Sequence, residues 1–156
     1  MNPEGISMLG RRAIEAEIAA ALIEGYAKEL GREKAMEVAT RVIRDLARKA
    51  GREMAGEAGD NSLPTLARLI REVWCRGDAL EIRILEESAT TLHFHVVRCG
   101  YADRYRDMGL EAFGYCLSCN RDGAFIEGFN PDVRLDRSRT ILEGAAHCDF
   151  RYTLNP

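Results

Sequence analysis

Residues 80–96, Leu-Glu-Ile-Arg-Ile-Leu-Glu-Glu-Ser-Ala-Thr-Thr-Leu-His-Phe-His-Val, are where the hydrophobic period of the chain changes from 3.6 to 2. Apolar residues alternate at Leu80, Ile82 and Ile84, and again at Leu92, Phe94 and Val96, with a turn near Ser88-Ala89 between the runs. The pattern predicts an antiparallel hairpin. Downstream, Val133 to Leu142 and Cys148 to Leu154 predict a second strand pair that turns near Glu143-Gly144-Ala145-Ala146. Two short helices are expected between the pairs, over Ala102 to Met108 and Leu110 to Leu117, with Gly109 separating them.

Upstream of the hairpin the reading is helical. Ile14, Ile18, Leu22, Tyr26 and Leu30 recur every four residues, and Ala13, Ala21 and Ala27 widen the face they make. A core helix would bury this face; an interaction module would expose it. Gly31 suits a helix end. A second helix carries Met36, Ala39, Val42, Ile43, Leu46 and Ala50 on one side, and its short joint to the first predicts a helical hairpin. Gly51 to Asn61, with three glycines, reads as a loop. A third helix is announced by Asn61-Ser62 and Pro64 and stopped by Gly77. Helices followed by an antiparallel sheet of about four strands make an α+β fold. We expect a single domain over 1–156, with a helical half at 8–76 and a sheet-containing, cysteine-bearing half at 79–154.

A chain of 156 residues can bury enough core to fold without staples. Its net charge of -3 disfavours nucleic acid or an anionic membrane as partner. The opening residues show no secretory pattern, and five cysteines are an odd number, so reduced thiols in the cytoplasm are the expectation. No phosphate loop, dinucleotide fingerprint or Gly-x-Ser-x-Gly elbow occurs.

Chemistry is concentrated in the second half. Strand alternation sets His93, His95, Val97 and Cys99 on one face, a candidate metal site that Cys148 could join. Cys116-Leu-Ser-Cys119 is one CxxC pair, short of the two that a structural zinc normally shows. Cys116 and Cys148 can equally be small buried hydrophobes. A nucleophilic thiol needs nearby positive charge: Cys99 follows Arg98, and Cys119 precedes Asn120-Arg121-Asp122. Arg137 and Arg151 are candidates to clamp a carboxylate with paired hydrogen bonds; the alternative is a surface ion pair with Asp136 or Asp149. Gly128-Phe129-Asn130-Pro131 reads as a turn before a strand, with Asn130 extended.

Taken in order, Arg98-Cys99-Gly-Tyr101, Tyr105, Met108-Gly109, Leu117-Ser118-Cys119-Asn-Arg-Asp122 and Gly128-Phe129-Asn130-Pro131 form a pattern. It continues through Leu135-Asp-Arg137, Thr140 and Gly144 to Cys148-Asp149-Phe150-Arg151-Tyr152. The pattern resembles the L-2-amino-thiazoline-4-carboxylic acid hydrolase family, and Leu9-Gly10-Arg11-Arg12 fits it too. Ser138 stands where threonine is expected, and Cys116 lies outside the shared pattern. The resemblance implies a hydrolase that opens a small cyclic amidine, converting L-2-amino-thiazoline-4-carboxylate to N-carbamoyl-L-cysteine. From the chemistry of that step, Cys99 or Cys119 would be the nucleophile and Asp122 the amidinium partner or acid/base. Tyr101, Asn130, Arg137 and Arg151 would bind the substrate, with an arginine on its carboxylate. No cofactor is expected; the alternatives are a metal at His93, His95, Cys99 and Cys148, or zinc or an iron–sulfur cluster on the four thiolates of Cys99, Cys116, Cys119 and Cys148. The rival readings are the same fold acting on another small molecule and a non-catalytic ligand- or metal-binding domain. A homo-oligomer is left open.

Overall fold

The computed structural model describes residues 5–155. Two long helices, α1 (Met8–Leu30) and α2 (Arg32–Ala58), precede a short helix α3 (Leu63–Leu69) that widens into a π-type turn at Ile70–Trp74. Strands β1 (Leu80–Glu87) and β2 (Thr91–Cys99) follow, then helix α4 (Gly100–Asp107). Helix α5 (Glu111–Gly114) runs through a second π-type turn, Tyr115–Cys119, into α6 (Asn120–Phe129). The chain ends on β3 (Val133–Asp136), a 3₁₀ turn at Ile141–Glu143 and β4 (Cys148–Leu154). All strand pairs are antiparallel in the order β1-β2-β4-β3, so the architecture is α+β with the long helices ahead of the sheet.

Local chemistry accounts for the helix boundaries. Ser7 Oγ accepts the Gly10 N–H at 3.1 Å at the start of α1, and Ser62 Oγ accepts the Thr65 N–H at 3.3 Å at the start of α3. Gly31 takes φ 83 between α1 and α2, which gives the expected helical hairpin. Gly51 to Ala58, expected as a loop, is instead the last part of α2. Its glycine serves packing: a Cβ at Gly51 would stand 2.2 Å from the Phe125 carbonyl oxygen, and one at Gly128 would stand 2.0 Å from that of Arg48. The two glycines let α2 and α6 touch backbone to backbone.

Two other expectations are corrected. The helix expected to end at Leu117 continues through the CxxC to Phe129, because the π-type turn absorbs an extra residue without breaking the run. The strand expected over Val133 to Leu142 stops at Asp136. Beyond it the Ser138 and Arg139 N–H groups donate to the Asp149 carboxylate at 2.9 and 2.8 Å, which draws the backbone out of the ladder.

The inner sheet face packs Leu92, Phe94 and Val96 with Phe150 and Tyr152 against Leu66 and Ile70 of the α3 segment and Ile126 and Phe129 of α6. Each such side chain contributes about 1.5–3 kcal/mol by leaving water. A second cluster joins Ala16, Ala20 and Ile23 of α1 to Ala35 and Ile43 of α2, with Tyr105 and Leu117. The four-residue stripe of α1 takes no part in it: Ile14, Ile18, Leu22, Tyr26 and Leu30 are 53–65% exposed. Small alanines, which let α1 lie close to its neighbours, are its buried face.

Candidate functional site

A cavity of about 110 Å³ lies between the inner sheet face, α2 and the start of α6. Along β2 its wall runs from Phe94 through Val96 to Cys99, and on β4 from Phe150 to Cys148. Phe94 faces Phe150, and Val96 faces Cys148, so the two strands set aromatic rings toward one end and thiols toward the other. The segment entering α6 repeats that order, from Cys119 through Asp122 to Phe125 one turn further on. Trp74 closes the aromatic end, edge-on to Phe125 at 5.1 Å. Tyr101, Arg12, Arg121 and Arg137 complete the polar lining.

Cys99 reaches this cavity through an irregularity that strand parity missed. Glu81 pairs with Arg98 but Ile82 pairs with Val96, which leaves Val97 as an extra residue on β2. The bulge exposes both Val97 and Arg98 and returns Cys99 to the inner side. Arg98 therefore lies away from the thiol, donating to the Asp78 carbonyl at 3.1 Å. Cys99 Sγ caps α4, accepting the Ala102 N–H at 3.4 Å. Cys148 Sγ accepts the Ile141 N–H at 3.2 Å. Both contacts favour thiolates, but burial outweighs them: it raises Cys99 and pushes Cys148 up to about 11. Cys119 is raised further, by burial and then by the Asp122 carboxylate. The expected lowering of a thiol by Arg98 is thus reversed, and the three cavity thiols stay protonated at neutral pH.

Two ionic groups border the thiols. Arg137, just past β3, forms an ion pair with Asp122 and donates to the Cys119 carbonyl at 2.9 Å. Burial raises the Asp122 carboxyl against the pull of Arg137, whereas burial of Arg137 is more than offset by Asp122 and keeps the guanidinium charged. The second group is Arg12 and Arg121 around Glu15, at 2.5 and 3.5 Å. Burial and the nearby Arg12 lower Arg121 to about 10. Burial of Glu15 is outweighed by Arg12, Arg11 and Arg121, which hold its carboxyl below the usual range. Tyr101 is raised by burial and remains a neutral phenol.

Of the expected site residues, Cys99, Tyr101, Cys119, Asp122 and Arg137 line the cavity together. Asn130 does not; its amide donates to the Asn61 carbonyl and its Oδ1 accepts the Asp132 N–H, so it fastens a turn. Arg151 points outward, half exposed, with Glu86 at 3.7 Å. The candidate ligand set is split by the sheet. His93 and His95 occupy the outer face, where His147 stacks on His95 at 4.1 Å, while Cys99 and Cys148 face the cavity. Among the described residues no three His, Cys, Asp or Glu side chains gather so as to hold a metal ion.

The sequence matches the L-2-amino-thiazoline-4-carboxylic acid hydrolase family over residues 11–152. The chain belongs to that family. No curated protein matches it. Among solved structures it is similar to a trafficking protein particle complex subunit 3 from Naegleria fowleri covalently bound to palmitic acid. The two share 12% identity, 94% of this chain and 96% of that one, with a TM-score of 0.55, a likeness of fold. No helix among the described residues is long and apolar enough to cross a membrane.

Within this family member, sequence reasoning missed Arg12 and Arg121 as cavity residues. Both lay inside family-like segments, Leu9-Gly10-Arg11-Arg12 and Asn120-Arg121-Asp122, and Glu15 one turn beyond Arg12 was the available signal that α1 turns a charged edge inward.

Proposed function

We propose that this protein hydrolyses a small cyclic amidine carrying a carboxylate, with L-2-amino-thiazoline-4-carboxylate as the first substrate to test and N-carbamoyl-L-cysteine as the product. One observation carries the reading: protonated thiols, a carboxylate and three largely buried guanidiniums share one cavity. Arg12 and Arg121 bind the substrate carboxylate, since together they hold more positive charge than Glu15 balances. Arg137 is committed to Asp122 and Cys119 and acts as a positioning residue.

Protonation makes C2 of the amidine more electrophilic, and Asp122 stabilises that amidinium by accepting a hydrogen bond from it. The Cys119 thiol gives its proton to the amidine and its sulfur attacks C2. The C2–S bond of the ring breaks, the ring sulfur takes a proton from the amidinium and leaves as a thiol, and the enzyme holds an S-linked isothiourea. Water then adds to C2 and the Cys119 sulfur departs with a proton, which leaves the urea of N-carbamoyl-cysteine. A high thiol pKa suits this order, because ionisation is deferred until a base has been bound. Incubation with the thiazoline, followed by product mass and thiol release, tests the reaction. Absence of turnover by folded, reduced protein overturns it, and full activity in both Cys119→Ser and Cys99→Ser removes the covalent route.

A second reading is favoured by the aromatic end formed by Trp74, Phe94, Phe125 and Phe150. There the cavity holds an acyl chain and a thiol carries it as a thioester, the thiol attacking an activated acyl carbonyl and displacing the donor's thiol. The fold neighbour bound covalently to palmitic acid makes this worth testing. Incubation with a palmitoyl thioester and a hydroxylamine-sensitive gain in protein mass would favour it over the hydrolase.

A further inference from the structure

The outer face of α1 is an apolar surface that the protein's own fold leaves unused. Ile14, Ile18, Leu22, Tyr26 and Leu30 are more than half exposed, and Val42 and Leu46 of α2 extend the patch at 49 and 52%. Beside the stripe lies a groove between α1 and α2 floored by Ala19, Ala35 and Ala39, and every residue lining it is apolar. Gly25 lies on the exposed side of α1, where a Cβ would meet nothing within 4 Å. A mid-helix glycine costs about 1 kcal/mol relative to alanine, and no internal contact repays it here.

We propose that this face binds a second copy of the chain in a two-fold symmetric dimer. The same surface holds both ridge and groove, so two copies are complementary to each other, as an isologous contact requires. Leu22 lies midway along the stripe. A two-fold axis there sets Ile18 of one copy against Tyr26 of the other, with the bare backbone at Gly25 allowing close approach and the winding of the four-residue stripe carrying Leu30 over the groove. The size agrees. Seven half-exposed side chains of about 100 Å² each give roughly 700 Å² per copy and about 1,400 Å² per pair, inside the ~1,200–2,000 Å² of stable interfaces and above the ~300–600 Å² patch of an ordinary monomer. Charge argues against a membrane as the occupant: on α1 the exposed acids Glu17, Glu24 and Glu29 outnumber one exposed base, Lys28, where membrane-surface helices carry a basic face.

Sedimentation of the full chain decides the matter. At tens of micromolar the wild type should sediment at twice the 17.4 kDa chain mass. Leu22→Glu should sediment as a monomer with unchanged helical circular dichroism, and Gly25→Leu should weaken the dimer at least tenfold. Because Leu22 is on the surface, loss of fold in Leu22→Glu is itself an overturning result, since it would make the face part of the core. A wild-type monomer, or a dimer that survives Leu22→Glu, also overturns the proposal. A monomer that instead binds vesicles of anionic phospholipid assigns the face to a membrane.

Discussion

The two ionic groups at the cavity are built from the same side-chain types and differ in their balance. Asp122 and Arg137 are one carboxylate and one guanidinium, 22% and 9% exposed, and matched to each other. Arg11, Arg12 and Arg121 are three guanidiniums around one carboxylate, Glu15, and two of them, Arg12 and Arg121, line the cavity. In the matched pair Arg137 engages one oxygen of Asp122 and so holds its geometry, while the other oxygen can still accept a hydrogen bond. An unmatched group holds charge in reserve. Arginines that look equivalent in the sequence therefore divide into one that fixes the site and two available to bind an anion.

The largest effect should come from breaking the matched pair. Arg137→Met leaves a buried carboxylate alone and should cost about 3–5 kcal/mol, while Arg137→Met with Asp122→Leu should recover most of it. Urea midpoints of the two variants measure the difference; equal loss in both would mean that the pair is not a unit. On the unmatched side, Arg121→Met should raise KM for the carboxylate-bearing thiazoline by about 10–100-fold with little change in kcat, as expected for a lost charged hydrogen bond. A fall in kcat at unchanged KM would move Arg121 to the positioning role.

A smaller effect concerns pH. Cys148 has a folded pKa above its ordinary value of 9.0, so its contribution to stability is complete below pH 9 and is lost as pH rises through about 11. The melting temperature should fall between those limits, by less in Cys148→Ala. The smallest effect is Arg151→Gln, which should leave kcat/KM within about twofold because that arginine lies outside the cavity.

Much of this was legible in the chain and some was not, for reasons that can be named. Alternation at 80–84 and 92–96 gave the hairpin because one face of that sheet is buried. The same rule put Cys99 beside the histidines, since parity has no term for Val97, the inserted residue. Glycine reads locally as a break. Gly51 and Gly128 are instead a pair whose meaning lies in each other, 77 positions apart, and a local reading cannot see that. A stripe of large apolar residues looks like a core face, but alanines let α1 approach its neighbours more closely, so the stripe faced outward. Arg12 and Arg121 were quoted as parts of motifs, yet only the fold brings residues 109 positions apart to one carboxylate.

The contact of α2 with α6 through bare backbone also determines where the cavity cannot yield. Side chains at a helix crossing act as soft spacers, because they can change rotamer when one helix slides. At Gly51 and Gly128 no spacer exists, so the wall carrying Asp122 is stiff against the long helix behind it. The wide turn at Tyr115–Cys119 is tied in differently, through long side chains: Arg137 donates to the Cys119 carbonyl at 2.9 Å and Arg121 to that of Leu117 at 2.7 Å. In mechanical terms the carboxylate stands on an anvil.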